Sequence, residues 1–265
     1  MKKIAYDFGE NWKDYSLHAL KHNNIEQSMS DFKILMNNEN ISGKTFLDIG
    51  FGQGLSLLNA TTLGAKTVGC DINPKCKEVL ELNKQKYPAL KDTTIPVVVG
   101  SITEKETVER IKTYNNKFDI VHSWGVLHHT GKMWKSIDIC SDLVNNNGEL
   151  IISIYNKHWS SASWKLIKWF YNISPQFIRW FMIKIFYLII MIAKFLVTMQ
   201  NPLKKERGMN FYYDIIDWIG GYPYEYATLD EITDYICKKG YVLISKKKAQ
   251  VPTGCNEFIF RRVES

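Results

Sequence analysis

Three glycines at alternate positions, Gly50, Gly52 and Gly54, follow a short apolar run containing Phe46, Leu47 and Ile49. An apolar run that breaks into glycines reads as a buried strand entering a tight turn. Residues without a Cβ adopt positive φ and let a ligand lie against the backbone. Residues 55–63 then read as a helix, so the turn aims a helix N-terminus at whatever binds there. Asp48 stands two residues before the first glycine, and Asp71 stands 21 after it. Asp71 closes a second strand-like run, residues 67–72. An ionised carboxylate only accepts hydrogen bonds, which suits it to the two hydroxyls of a ribose. The alternative is a strand-end or N-cap aspartate ahead of Asn73-Pro74. A third cluster, Ser123, Trp124, His128 and His129, follows the strand-like run of Phe118, Ile120 and Val121. Histidine titrates near neutral pH and can serve as a general base. Adjacent histidines point in different directions, so one of the two is expected to reach a substrate, unless both are polar helix-start residues. The histidines lack the i, i+4 spacing of a metal site, and no metal is expected.

These groups need a frame that brings strand ends together. The spacing predicts strands over residues 45–49, 67–72, 96–99, 118–121 and 149–155, separated by helices over 75–86, 104–114 and 134–144. Asn145-Asn146-Asn147-Gly148 is expected to turn, with Gly148 at positive φ. Before the first strand, Asn11 or Asp14 could open a helix that puts Phe8 and Trp12 on one face. That pair either packs the helix onto the domain or caps a ligand, with Trp12 against it. At the far end, residues 229–238 read as a helix with Thr228 as N-cap and Glu231 in its first turn. Residues 241–246 and 257–260 read as a closing antiparallel hairpin.

A dinucleotide fingerprint G-x-G-x-x-G would require glycine at position 55, where Leu55 stands. The pattern D-I-G-F-G-Q-G, Asp71, the stretch from Trp124 to His129 and L-V-N-N-N-G-E-L-I-I-S-I-Y (143–155) instead resemble the class I S-adenosylmethionine (SAM)-dependent methyltransferases. The resemblance covers at least residues 40–155. It implies an α/β fold with a doubly wound, mostly parallel seven-stranded Rossmann-like sheet and a helical insertion before the last two strands. It implies SAM as cofactor and S-adenosylhomocysteine as product. The expected cofactor residues are Trp12, Asp48, Gly50, Gly52, Gln53, Gly54, Asp71, Ile72, Ser101, Ile102, Ser123 and Trp124. Ser101 departs from the family, which often has an Asp there for the adenine amino group, and Ile102 is expected to pack on the ring. Relatives that methylate quinone-precursor hydroxyls carry a His where His129 falls.

S-I-Y-N (153–156), R-G-M (207–209), D-W-I-G-G-Y-P-Y-E (217–225) and G-C-N-E-F-I-F (254–260) are similar to one bacterial subgroup. Its members are often linked to surface-polysaccharide (capsule) biosynthesis and look like phosphoramidate-modifying methyltransferases. The implied reaction is O-methylation of a small anionic or sugar-linked precursor. The alternatives are a quinone-type or other lipophilic hydroxyl at a membrane surface, and a non-catalytic SAM-fold binding protein. His129 is expected as the base, His128 as its reserve and Tyr155 as the orienting group, with a rate that rises with pH through the imidazole titration. Asn156, Arg207, Asp217, Tyr222, Tyr224 and Glu225 are expected around the acceptor, with residues 207–225 folding back as a lid.

The organisation read from the chain is an N-terminal helical cap (1–40), a SAM-binding core (41–156), a basic aromatic insertion (157–206) and a lid with helix-hairpin (207–265). The insertion holds a nearly continuous apolar run, residues 178–199, interrupted by Arg179, Lys184 and Lys194. Three cations argue against a spanning helix. The run is expected to pack on the core, on a second subunit through 163–200, or on a membrane surface. The net charge of +7 is mild, and no basic run with interleaved aromatics marks a nucleic-acid groove. Five scattered cysteines read as reduced thiols, and the N-terminus lacks the apolar core of a signal peptide, so a cytoplasmic setting is expected.

Overall fold

The computed structural model describes residues 7–18, 20–199, 201 and 211–264. Seven strands form one sheet: β1 (Thr45–Ile49), β2 (Lys66–Asp71), β3 (Val97–Val99), β4 (Phe118–Trp124), β5 (Val144–Tyr155), β6 (Tyr241–Lys247) and β7 (Cys255–Arg262). Their order is β3-β2-β1-β4-β5-β7-β6. β1 to β5 pair in parallel, and β7 enters antiparallel between β5 and β6. The strand order reverses between β1 and β4, which puts a crevice at their carboxyl ends.

Alternate residues of each strand feed opposite cores, as period 2 requires. Leu47, Ile49, Val121, Leu150 and Ile152 face one layer, with Ile137 of α6 (Met133–Asp142) and Ile236 of α10 (Leu229–Cys237). Phe46, Ile120 and Ile151 face the other. That layer holds α1 (Phe8–His18), α2 (His22–Leu35), α3 (Leu55–Thr62) and α4 (Cys76–Lys84). α5 (Lys105–Lys112) joins the first layer through Ile111. The insertion supplies α7 (Ser161–Ile173) and α8 (Gln176–Thr198), which pack with α9 (Phe211–Gly220) around Tyr171, Ile215 and Ile219.

Three local expectations change. The N-terminal segment makes two helices, and the first starts at Phe8, where the Gly9 N–H donates to Asp7 Oδ1 at 3.0 Å. Residues 145–148 do not end the pairing: β5 already starts at Val144, and Asn147 rather than Gly148 takes positive φ (59°). Gly148 is bare because a Cβ would lie 2.9 Å from the Asp119 carbonyl. Residues 211–220, part of the stretch expected to fold back as a lid, form a helix. By contrast α10 starts as read: Thr228 Oγ1 accepts from the Glu231 N–H (3.0 Å), and Glu231 Oε2 accepts from the Thr228 N–H (2.8 Å). This reciprocal pair satisfies two otherwise orphaned donors.

Candidate active site

The glycine turn joins β1 to α3 through three left-handed residues, with φ of 72° at Gly50, 53° at Gly52 and 79° at Gly54. Two of them also answer close approaches. A Cβ on Gly54 would sit 2.4 Å from Leu80, and one on Gly50 only 2.3 Å from Val126. Val126 opens the 3₁₀ turn Leu127–His129, and His129 N–H donates to its carbonyl at 2.8 Å. The bare Gly50 therefore lets the histidine-bearing tip of β4 rest directly on the glycine turn. Asp71, at the tip of β2, is 3% exposed, and its carboxylate accepts from Gly52 N–H (3.0 Å) and Asn73 N–H (2.8 Å). Burial outweighs these bonds and raises its pKa to about 6.

α1 lies across this turn. Trp12 carbons approach to 3.1 Å from the place of a Gly52 Cβ, and Phe8 stacks on Trp12 with centroids 5.7 Å apart. Asn73 Nδ2 donates to Asp7 (2.6 Å), Lys13 pairs with Glu78 (2.7 Å), and Lys75 reaches Glu10. The Phe8 ring also stands 5.4 Å from that of His129, so α1 touches both the turn and the histidines.

The two histidines have different hydrogen-bond partners. His129 Nδ1 lies 2.7 Å from the Pro223 carbonyl, which can only accept. Nδ1 therefore carries the proton, and the neutral ring keeps its lone pair on Nε2. Gly221 is where that ring needs room: a Cβ there would meet His129 Cε1 at 2.6 Å and Nε2 at 3.0 Å. His128 is fully buried, and its Nδ1 accepts from Tyr155 N–H at 3.2 Å. Its Nε2 therefore bears the proton, and that atom has no partner among the described residues. Tyr155 leans on both rings, at 3.9 and 5.5 Å.

A buried cation, Lys168 of α7, completes the cluster. It is 0% exposed, and its ammonium lies 4.3 Å from the ring centroid of Trp218, 4.9 Å from Tyr224 and 5.4 Å from Tyr155. It donates to the Trp218 carbonyl, while Asn172 Nδ2 donates to that of Gly220 (2.7 Å). Two side chains of α7 thus cap the C-terminal end of α9, where a cation meets the negative end of the helix dipole. Burial lowers Lys168 to about 7. Burial first and the Lys168 charge second push His129 down to about 3, while burial, then the neighbouring His129, then Lys168 push His128 well below its ordinary value. At about 3, the titration of His129 lies below the neutral range and the ring is neutral at physiological pH.

A profile of the methyltransferase-domain family matches residues 21–184. The chain belongs to this methyltransferase family. Curated relatives of the methyltransferase include ubiquinone biosynthesis O-methyltransferases. That of Rhodopseudomonas palustris is 26% identical over 127 residues, covering 48% of this chain and 46% of the relative. That of Pelagibacter ubique is 27% identical over 142 residues, 54% and 55% of the two chains. The chain spans about half the length of the curated relatives it matches. Among solved structures, an O-methyltransferase family protein from Burkholderia thailandensis superposes with a TM-score of 0.55. It is 11% identical, and the match covers 97% of this chain and 69% of that one. Magnesium protoporphyrin IX methyltransferase from Synechocystis, with bound SAM, gives a TM-score of 0.53 at 12% identity and covers 97% and 98%. Both show the fold.

The residues of this family member fit the family's cofactor, SAM. The cradle at Gly52 would be filled by a Cβ, Gln53 Oε1 is buried with no partner among the described residues, and Asp71 stands at the strand tip. Ile72 is 70% exposed beside it. Other expected cofactor groups are committed within the protein. Asp48 Oδ1 pairs with His122 Nδ1 on the neighbouring strand at 2.8 Å. Ser123 Oγ donates to the Ile49 carbonyl (2.9 Å), and Trp124 stacks on His122. Ser101 Oγ bonds Thr103 Oγ1 (2.9 Å), and Ile102 points into the core rather than to an adenine ring.

On the acceptor side, Tyr224 is brought against Tyr155, with centroids 5.0 Å apart. Asn156, expected at the acceptor, donates to the Pro252 carbonyl (2.8 Å) and accepts from Asn256 Nδ2 (3.0 Å). Glu225 accepts from Met133 N–H at the start of α6 (3.0 Å), a brace rather than a free ligand. The Asp217 carbonyl accepts from Gly221 N–H at 2.8 Å, and Tyr222 is half-buried before a cis bond to Pro223. Arg207 lies outside the described residues. Lys168 and the Asp48–His122 pair were missed from sequence. Only the alternation of buried strand positions hinted at the pair, and nothing marked Lys168 among its basic neighbours.

Proposed function

We propose that this protein is a SAM-dependent O-methyltransferase whose acceptor hydroxyl loses its proton to His129 Nε2. The observation that carries this reading is the 2.7 Å contact between His129 Nδ1 and the Pro223 carbonyl, which leaves a lone pair on Nε2 at the carboxyl end of β4. When bound, SAM supplies an electrophilic methyl group on a sulfonium. Gly50, Gly52 and Gly54 would seat it, Asp71 would accept from its ribose, and α1 with Trp12 would exclude water. Tyr155 and Tyr224 form the wall beside the histidines and orient the acceptor. A fixed base suits a neutral hydroxyl, whereas an acceptor that is already ionised needs none.

For the acceptor, our reading is a small anionic or sugar-linked precursor, such as one bearing a phosphate or phosphoramidate, in surface-polysaccharide biosynthesis. Support comes from the similarity of residues 153–156, 217–225 and 254–260 to that subgroup. A second reading is a lipophilic, quinone-type hydroxyl, favoured by the exposed apolar surface of α8 and by the ubiquinone-pathway relatives. Incubation with SAM and panels of sugar phosphates and phenols, read as a mass gain of one methyl, separates them. On the accepted substrate, His129→Ala should lower kcat by about 10²-fold or more, with SAM affinity unchanged. At saturating SAM, the parent kcat should show no inflection belonging to His129 across the neutral range, because a base lowered to about 3 is already deprotonated there. An inflection at an ordinary imidazole pKa that vanishes with another residue's removal would place the base elsewhere.

A further inference from the structure

α8 is 23 residues long, about 34 Å of helix. One face packs on the protein, where Met182, Ile183, Phe186 and Ile190 meet Tyr171, Ile215 and Ile219. The opposite face is also apolar. Phe177, Phe181, Ile185, Leu188, Ile192 and Leu196 recur at intervals of three and four, and all are exposed, from 40% at Ile185 to 73% at Phe177. That is one continuous stripe at helical spacing. Trp180, 61% exposed, flanks it, and Trp169 and Phe170 of α7 line a groove beside it. Soluble surfaces rarely leave so long an apolar stripe bare.

Charge identifies what covers it. Between residues 150 and 205 there are eight Lys and Arg and no Asp or Glu, whereas the rest of the chain carries 26 Lys and Arg against 27 Asp and Glu. The whole positive surplus of the protein therefore sits on the segment that carries the stripe. Lys157 is paired with Glu231 and Lys168 is buried, but Lys165 and Lys184 remain at the surface of α7 and α8. A second copy of the chain would bring like charge against like charge. An anionic lipid surface attracts it, because each Lys or Arg near the headgroups meets a negative surface potential. The 18-residue window 176–193, with a mean hydropathy of 1.7, would be apolar enough to span a bilayer. A helix with one face packed along α7 and α9 instead lies in the interface plane, as amphipathic anchors do. Arg179 fixes this orientation, since its Nε donates to the Ser174 carbonyl (2.8 Å) and its Nη2 to that of Asn172 (2.6 Å), pinning the corner between α7 and α8.

We propose that α8 docks the protein, parallel to the surface, on membranes containing anionic lipids. The proposal does not depend on which acceptor is methylated. It is tested by co-sedimenting the full chain with vesicles of phosphatidylglycerol and phosphatidylcholine, and with phosphatidylcholine alone. Binding should be at least tenfold stronger to the anionic vesicles and should weaken as salt is raised. The double variant Phe181→Glu/Leu188→Glu should lose it at least tenfold while its circular dichroism and SAM affinity stay those of the parent. No sedimentation with anionic vesicles would overturn the proposal. So would a vesicle-binding double variant, or a stable parent dimer in analytical centrifugation that the double variant breaks.

Discussion

The cofactor-side and acceptor-side walls of the crevice are built by different means. On the cofactor side, the glycine turn and Asp71 come from two neighbouring strands close in sequence, and backbone N–H groups of Gly52 and Asn73 hold the carboxylate. On the acceptor side, the 3₁₀ turn after β4, the end of β5, α7 and the segment after α9 each contribute one part. There the groups act on one another through burial first and charge second, since burial depresses both histidines and the Lys168 charge adds to it. A wall built from local backbone tolerates change elsewhere in the chain, whereas a wall whose electrostatics depend on a distant lysine does not.

The largest effect that would break this contrast is expected at Asp71. Hydrogen bonds to charged groups are worth roughly 1.5–3 kcal/mol. Asp71→Ala should therefore weaken SAM binding at least about tenfold by calorimetry, without changing the acceptor KM. Because burial raises Asp71 to about 6, its ionised form is lost as pH falls through that value. SAM affinity of the parent should fall over the same window, and Asp71→Asn should remove that dependence. An unchanged affinity in a folded Asp71→Ala protein would take the residue out of the site.

A subtler effect sharpens the acceptor side. Lys168→Met keeps much of the stem but removes the charge. The imidazole of His129 should then titrate higher by nuclear magnetic resonance, and each pKa unit corresponds to about 1.4 kcal/mol. SAM affinity should stay that of the parent. A lysine that only caps α9 would lower thermal stability and leave the His129 titration in place. The smallest effect is a control far from both walls. Thr228→Ala removes one half of the reciprocal cap on α10. It should cost about 1 kcal/mol of stability, or about 2–4 °C in Tm, with activity intact.

Much of the frame was legible in sequence because strand alternation, glycine turns and caps are short-range effects. The five parallel strands, the closing hairpin, the Thr228 cap and the glycine turn all follow from residues a few positions apart. The same range explains the misses. Side-chain commitments such as Asp48 to His122, Ile102 to the core, Asn156 to Asn256 and Glu225 to α6 depend on which strand or loop lies alongside, and a linear pattern does not encode that. The sequence by itself determined an α/β methyltransferase frame, the place of its glycine turn and a cationic, aromatic insertion. Only the tertiary structure decided which imidazole nitrogen keeps a lone pair, that Lys168 is buried in an aromatic cage beside it, and that one apolar face of α8 stays bare. Each of those depends on contacts between segments far apart in the chain, where burial and neighbouring charge set the chemistry of groups whose identity alone leaves it open.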